Sequence, residues 1–248
     1  NIASILEMYR NEKLLIVVSA MGKTTNALEA LVESHFKQKN DVAEHFKQLK
    51  DFHSNIISNL FESSQTSKVN KAVDTLLEEL QNVLNKDAVD NYNFEYAQIV
   101  CFGELLSTTI ISHYLNDLKM KVKWVDARKV IKTDHNYREG VIDWNKTIKN
   151  TNKLVKPHIE KDQLVITQGF IGSTSENLST TLGREGSDYT AAIFGSILDA
   201  EHVAVWKDVP GILNADPKRF NFAKKIDKVS YKEAIEMTYY GAKVLHPK

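Results

Sequence analysis

Between Gly22 and Gly103 the chain carries neither glycine nor proline. A stretch that long without either residue has few places to turn, so it is predicted to be helical, broken only at polar clusters. Two such clusters stand out, Asn40-Asp41 and Ser63-Ser64-Gln65-Thr66-Ser67. Asn40 or Asp41 can cap the N-terminus of a second helix. Further on, Val69, Val73, Leu76, Leu77, Leu80, Val83 and Leu84 recur at helical spacing and define one apolar face for core packing. A helical subregion over about 24–95 follows.

The remainder alternates. Strands are predicted at 13–20, 121–125, 141–144, 164–167 and 202–206, the first of them fully buried. Helices are predicted at 104–115, 145–159, 191–198 and from near Ser230 to Gly241. The apolar segment 99–102 either joins the 104–115 helix or precedes it. Alternation of this kind implies parallel strands covered by helices. The fold class is therefore α/β, a three-layer αβα sandwich with a mostly parallel central sheet and an added helical subregion at one edge or as a lid. Ligands in such sheets sit beyond the carboxyl ends of the strands. Polar residues gather at those ends: Ser19, Asp126, Gln168-Gly169 and Lys207-Asp208.

Composition narrows the function. Lys+Arg and Asp+Glu each number 32, a zero balance that argues against a mainly electrostatic grip on nucleic acid or on an anionic membrane. No apolar run approaches the roughly 20 residues of a membrane span. The single cysteine, Cys101, sits in an apolar segment and reads as a buried, inert thiol; no zinc-ligand spacing occurs, and no metal-ligating side chain is assigned. With no secretory leader in view, the cytoplasm is the expected compartment. The chain starts without Met and stops just after a proline, so a piece of a longer protein is expected.

The chemistry concentrates in Thr181-Leu182-Gly183-Arg184-Glu185-Gly186-Ser187-Asp188, a polar turn opening an apolar helix. A helix N-terminus favours an anion, and Arg184 adds a fork suited to carboxylate or phosphate. Asp188 adds a fixed negative charge, so one turn presents both signs, as a zwitterionic amino acid requires. Taken alone, the turn is equally a capped helix with a surface Arg and Asp. Val18-Ser19-Ala20-Met21-Gly22-Lys23-Thr24-Thr25-Asn26 runs from a strand end into a helix, but Val17 stands where a phosphate loop needs its first glycine. Phe102-Gly103-Glu104 puts a carboxylate at a helix start, where it also favours the helix dipole. Downstream, the Trp206–Lys218 loop offers Lys207, Asp208 and Lys218, and Lys243 follows Gly241 at a helix end.

Taken together, these segments resemble the aspartate kinases of the amino-acid kinase family. The matching runs are Val17-Val18-Ser19-Ala20-Met21-Gly22 with Thr25-Asn26, Gly103-Glu104, Thr167-Gln168-Gly169-Phe170-Ile171-Gly172, the Thr181–Asp188 turn, Trp206-Lys207-Asp208-Val209-Pro210-Gly211-Ile212 and Gly241-Ala242-Lys243-Val244-Leu245-His246-Pro247. They stand in the family's order along nearly the whole chain. The resemblance implies transfer of the γ-phosphoryl of ATP, with Mg²⁺, to the β-carboxylate of L-aspartate, the first step toward lysine, threonine and methionine. It implies that Arg184 and Asp188 are the catalytic pair, Arg184 clamping the α-carboxylate while Glu104 and Asp188 hold the α-ammonium. Ser19, Thr25, Phe170 and Ser187 would complete the amino-acid site, and Lys207, Asp208, Leu213, Lys218 and Lys243 would face the nucleotide. It also implies a homo-oligomer for the full-length protein, with no nucleic acid or membrane partner.

Three departures accompany the resemblance. The family's first strand, with its Lys-Phe-Gly-Gly motif, is expected upstream of Asn1, and regulatory ACT domains are expected downstream of Lys248. Glu185 occupies a position where the family usually has a second glycine. The alternatives are a related kinase acting on glutamate, acetylglutamate or UMP, and a catalytically silent module that binds aspartate without turnover.

Overall fold

The computed structural model describes residues 2–9, 11–207, 211–216 and 219–240. The elements run α1 (Ile2–Met8), β1 (Leu15–Val18), α2 (Thr24–Phe36), α3 (Val42–Leu60), α4 (Ser63–Leu84), α5 (Tyr92–Val100), α6 (Phe102–Asp117), β2 (Val122–Val125), α7 (Ala127–Val130), α8 (Trp144–Leu154), α9 (Lys156–Ile159), β3 (Leu164–Gln168), β4 (Ile171–Ser173), β5 (Ser179–Thr181), α10 (Gly186–Ile197) and α11 (Tyr231–Tyr239).

The glycine-free stretch folds as α2 to α5, as its composition predicts, and the apolar segment 99–102 is helical, not extended. Asp41 stands at the N-cap of α3, yet its carboxylate makes no cap bond; Ser34 takes it and lowers its pKa. Asn91, Asp126 and Asp143 do cap α5, α7 and α8 through their side-chain oxygens. The helices α2 to α6 bury a shared core that includes Leu28, Leu31, Ile57, Leu80, Leu105 and Ile110. Cys101 lies in it, fully buried, its thiol pKa pushed up by desolvation.

Strands β1, β3 and β2 form a parallel sheet in that order, with Leu15 opposite Val165 and Trp124 opposite Ile166. Strand alternation splits the sheet into two faces. Ile16, Val18 and Ile166 turn toward Leu6 of α1 and Ile111 and Leu115 of α6. Leu15, Val17 and Val165 turn toward Val155, Ile193 and Phe194, beneath α8 and α10. The result is the expected three-layer α/β sandwich.

Four expectations are corrected. Strand β1 is only half-buried, because it lies at the edge of the described sheet while β3 holds the centre. The 202–206 segment is not a strand. A strand needs a neighbour for its ladder, no described strand pairs with it, and Val203, Val205 and Trp206 stay exposed. At 141–144 only one bridge forms, Thr133 to Ile142, since Asp143 is already committed to capping α8. The single helix predicted at 145–159 is two, α8 and α9; Pro157 has no N–H to continue the α8 ladder. Between β3 and α10, β4 and β5 pair as an antiparallel hairpin, Ile171 opposite Thr181.

Candidate functional site

The carboxyl ends of β1 and β3, the start of α6 and the start of α10 converge. Ser19, just past β1, donates from Oγ to Ser187 Oγ at 2.8 Å, tying the first loop to the α10 turn. Its carbonyl accepts from Ser107 Oγ at 2.7 Å. One residue on, the Ala20 N–H donates to Glu104 Oε1 at 3.3 Å. Close packing makes that reach possible: a Cβ on Gly103 would stand 3.0 Å from Ala20 Cβ and 3.1 Å from Leu28 Cδ1. Glycine here lets α6 abut the loop.

Glu104 is 3% exposed. Desolvation pushes its pKa up to about 8, against the smaller opposing effect of its own and the Ala20 backbone N–H. Its second oxygen, Oε2, is buried without a hydrogen-bond partner. Such an atom calls for a proton or a cationic ligand.

The α10 turn is built differently. Gly183 has φ 80, and Glu185, at the N-cap, takes the left-handed region with φ 52 and ψ 27. The expected row of free N–H donors is partly closed: Gly186 N–H bonds Gly183 O at 3.1 Å, and Asp188 N–H bonds Glu185 O at 3.0 Å. Arg184, the arginine of this turn, has an exposed side chain. Asp188 Oδ2 lies 2.7 Å from Lys207 Nζ, and Glu185 Oε2 lies 3.1 Å from the same nitrogen. Partial burial pulls the Lys207 ammonium down, but the bonds to Asp188 and Glu185 prevail and raise its pKa.

Between the two halves runs the end of β3. Gln168 is fully buried, donating to Thr108 Oγ1 at 2.6 Å and accepting from the Ala127 N–H at 2.7 Å. Gly169 packs so tightly on α10 that a Cβ would meet Ser187 Cβ at 2.5 Å and its Cα at 2.8 Å. Phe170 has φ 67, its N–H held by Thr190 Oγ1 at 3.0 Å and its ring over Gly186.

The structure thus gathers Ser19, Glu104, Phe170, Ser187, Asp188 and Lys207 around one strand-end region, with Arg184 on the same turn. Thr25 stands half-buried in the first turn of α2. Leu213 belongs to a short ladder with Lys225. Asp208, Lys218 and Lys243 lie outside the described residues, as does the Gly241–Pro247 run. Sequence reading missed Ser107, Thr190 and the use of Glu185. The first two were available as one helical turn beyond Glu104 and Gly186, where a hydroxyl faces back toward the helix start. Among the described residues no group of three or more His, Cys, Asp or Glu is placed to hold a metal ion. Nor is any described helix long and apolar enough to cross a membrane.

Comparison with known proteins adds relatives. The family profile described as "Amino acid kinase family" matches residues 1–248. The chain is 35% identical over 233 residues to lysine-sensitive aspartokinase 3 of Escherichia coli, covering 94% of this chain and 51% of that protein. It is 30% identical to a chloroplastic bifunctional aspartokinase/homoserine dehydrogenase 2 of Arabidopsis thaliana, covering all of this chain and 27% of the relative. It superimposes on E. coli aspartokinase III in complex with aspartate and ADP with a TM-score of 0.85 at 34% identity, over 94% of this chain and 51% of that one. The aspartate kinase of Clostridium acetobutylicum gives 0.76 at 25% identity, over 99% of this chain and 52% of that one. The chain therefore spans about half the length of these relatives, or less.

Proposed function

This chain belongs to the amino acid kinase family, and within it we propose that it forms the catalytic domain of an aspartate kinase, phosphorylating the β-carboxylate of L-aspartate from ATP. The observation that carries the reading is Glu104: a buried carboxyl with one unpartnered oxygen, its other oxygen bonded to the N–H of Ala20, next to the Ser19 that meets Ser187. Two carboxylates from separate helices suit an ammonium, and Arg184 on the same turn as Asp188 suits the neighbouring α-carboxylate.

In this reading Ser19, Thr25, Phe170 and Ser187 enclose the amino-acid side chain. Lys207, Asp208, Leu213, Lys218 and Lys243 serve the nucleotide. Mg²⁺, when bound with ATP, neutralises phosphate charge, and it fits best as an ion carried by the phosphates, since such ions use few protein carboxylates. The aspartate β-carboxylate is already ionised at neutral pH, so no general base is needed. One of its oxygens bonds to the γ-phosphorus as the bond from that phosphorus to the β,γ-bridging oxygen breaks, and ADP leaves. The protein contributes alignment and charge compensation. Glu104, protonated while buried alone, gives up its proton as the ammonium arrives. The reading places the full-length protein in the cytoplasm as a homo-oligomer.

The test is ATP-dependent acyl-hydroxamate formation by the full-length protein with L-aspartate, L-glutamate and N-acetylglutamate. Turnover confined to aspartate is expected. Preference for either other acid would move the assignment to a sister kinase, and aspartate binding without turnover would make the domain a binding module.

A further inference from the structure

Glu185 sits in left-handed backbone, where a non-glycine residue is strained. The flanking Gly183 and Gly186 need no such side chain. The Glu185 carboxylate is nonetheless engaged: Oε2 lies 3.1 Å from Lys207 Nζ, and that ammonium also lies 2.7 Å from Asp188 Oδ2. The lysine side chain is 22% exposed and that of Asp188 17%, so the contact is sheltered enough to matter.

A conflict follows from the function proposed above, on which this inference rests. Asp188 is asked to receive the ammonium of the amino acid, yet Lys207 already holds it. Two cations on one carboxylate repel each other, and the substrate would have to displace the lysine at a cost in affinity. A second carboxylate removes the conflict. We propose that Glu185 is a positioning residue that keeps Lys207 as its own partner when an amino-acid ammonium takes Asp188. Lys207 then remains a cation at the mouth of the α10 turn, beside the incoming phosphate charge, and does not compete for the substrate's seat. Glu185 and Lys207 work as a pair; either alone is a liability, one as an unpaired carboxylate near phosphate, the other as an internal competitor.

The experiment uses the full-length protein with Glu185→Gln, Glu185→Gly, Lys207→Met and the double variant Glu185→Gln/Lys207→Met. Aspartate binding is measured by calorimetry without ATP, alongside the melting temperature and the steady-state constants. Glu185→Gln keeps the side chain's size and loses its charge; Glu185→Gly relieves the backbone. Both are expected to weaken aspartate binding roughly 5- to 10-fold, Glu185→Gly without lowering the melting temperature. In the Lys207→Met background Glu185→Gln is expected to change aspartate binding less than about 2-fold, because no competitor remains. Wild-type aspartate affinity in both Glu185 variants would overturn the proposal. So would a loss that persists undiminished without Lys207, which marks a structural role for Glu185. The binding cycle is separate from turnover: coupling without phosphorylation would sink the kinase assignment and keep the pair, whereas phosphorylation without coupling would do the opposite.

Discussion

The two carboxylates proposed to receive the ammonium, Glu104 and Asp188, are alike in chemistry and different in setting. Glu104 rises from a helix whose first turns are wholly buried, and it touches polar groups only through backbone N–H. Desolvation dominates, and the carboxyl favours its proton up to a pKa of about 8. Asp188 stands on a half-buried turn and is paired with Lys207 at 2.7 Å. The difference teaches where binding energy and folding energy are stored. On the α6 side the site is continuous with the core, so changes there should disturb both. On the α10 side the charged groups are held by ion pairs, and changes should move ligand affinity with little effect on folding.

Arg184→Ala gives the sharpest break. Removing the guanidinium should weaken aspartate binding by roughly 1.5–3 kcal/mol, as for lost hydrogen bonds to a charged group, while leaving the melting temperature nearly unchanged. Calorimetry beside a thermal melt reads both, and unaltered affinity would remove Arg184 from the carboxylate clamp. Next comes Glu104→Gln, which should cost about 1.5–3 kcal/mol in aspartate binding, as for a lost hydrogen bond to a charged group. It should also abolish a proton release. At pH 7 the wild-type carboxyl is largely protonated, and an arriving ammonium favours its ionised form. Binding enthalpies in buffers of different ionisation heat measure the released proton; none in the wild type would place the ammonium elsewhere.

The same residue fixes a sign for stability. Its folded pKa, about 8, lies above the ordinary carboxyl value of 4.5. Between those values the folded state holds the proton and the unfolded state does not, so this group's contribution falls as pH rises from about 4.5 to 8, then levels off. Glu104→Gln should flatten that slope in denaturant titrations across the interval.

Gly169→Ala tests the seam between the two sides. Its methyl would meet the Ser187 backbone, so α10 must shift, and a loss of about 1–3 kcal/mol in folding stability is expected together with weaker aspartate binding. Denaturation of this variant at unchanged stability would mean that the seam is softer than its packing indicates. Ser187→Ala should do least. It removes the Ser19 hydroxyl's 2.8 Å partner at an exposed position and should cost about 0.5–1.5 kcal/mol in aspartate affinity, with the melt hardly moved.

Much of this was legible beforehand. The helical block follows from an absence of glycine and proline, a local property. The strand ending at Gln168 and the helix behind Asp188 are marked by their own periodicity. The 202–206 segment shows the limit: it has strand-like residues, but a strand also needs an edge to join, and no local pattern supplies one. The break at Pro157 is visible in the sequence, but the amphipathic spacing continues on either side of it and masks it.

The sequence by itself determined the alternation of helix and strand, the polar residues at strand ends and the charged inventory of the α10 turn, since each depends on neighbours a few positions away. The tertiary structure decided that Glu104 is dehydrated, that Ser19 meets Ser187, and that Lys207 rests between Glu185 and Asp188. Desolvation and charge pairing depend on groups dozens of residues apart being brought within about 3 Å, and only the folded chain fixes those distances.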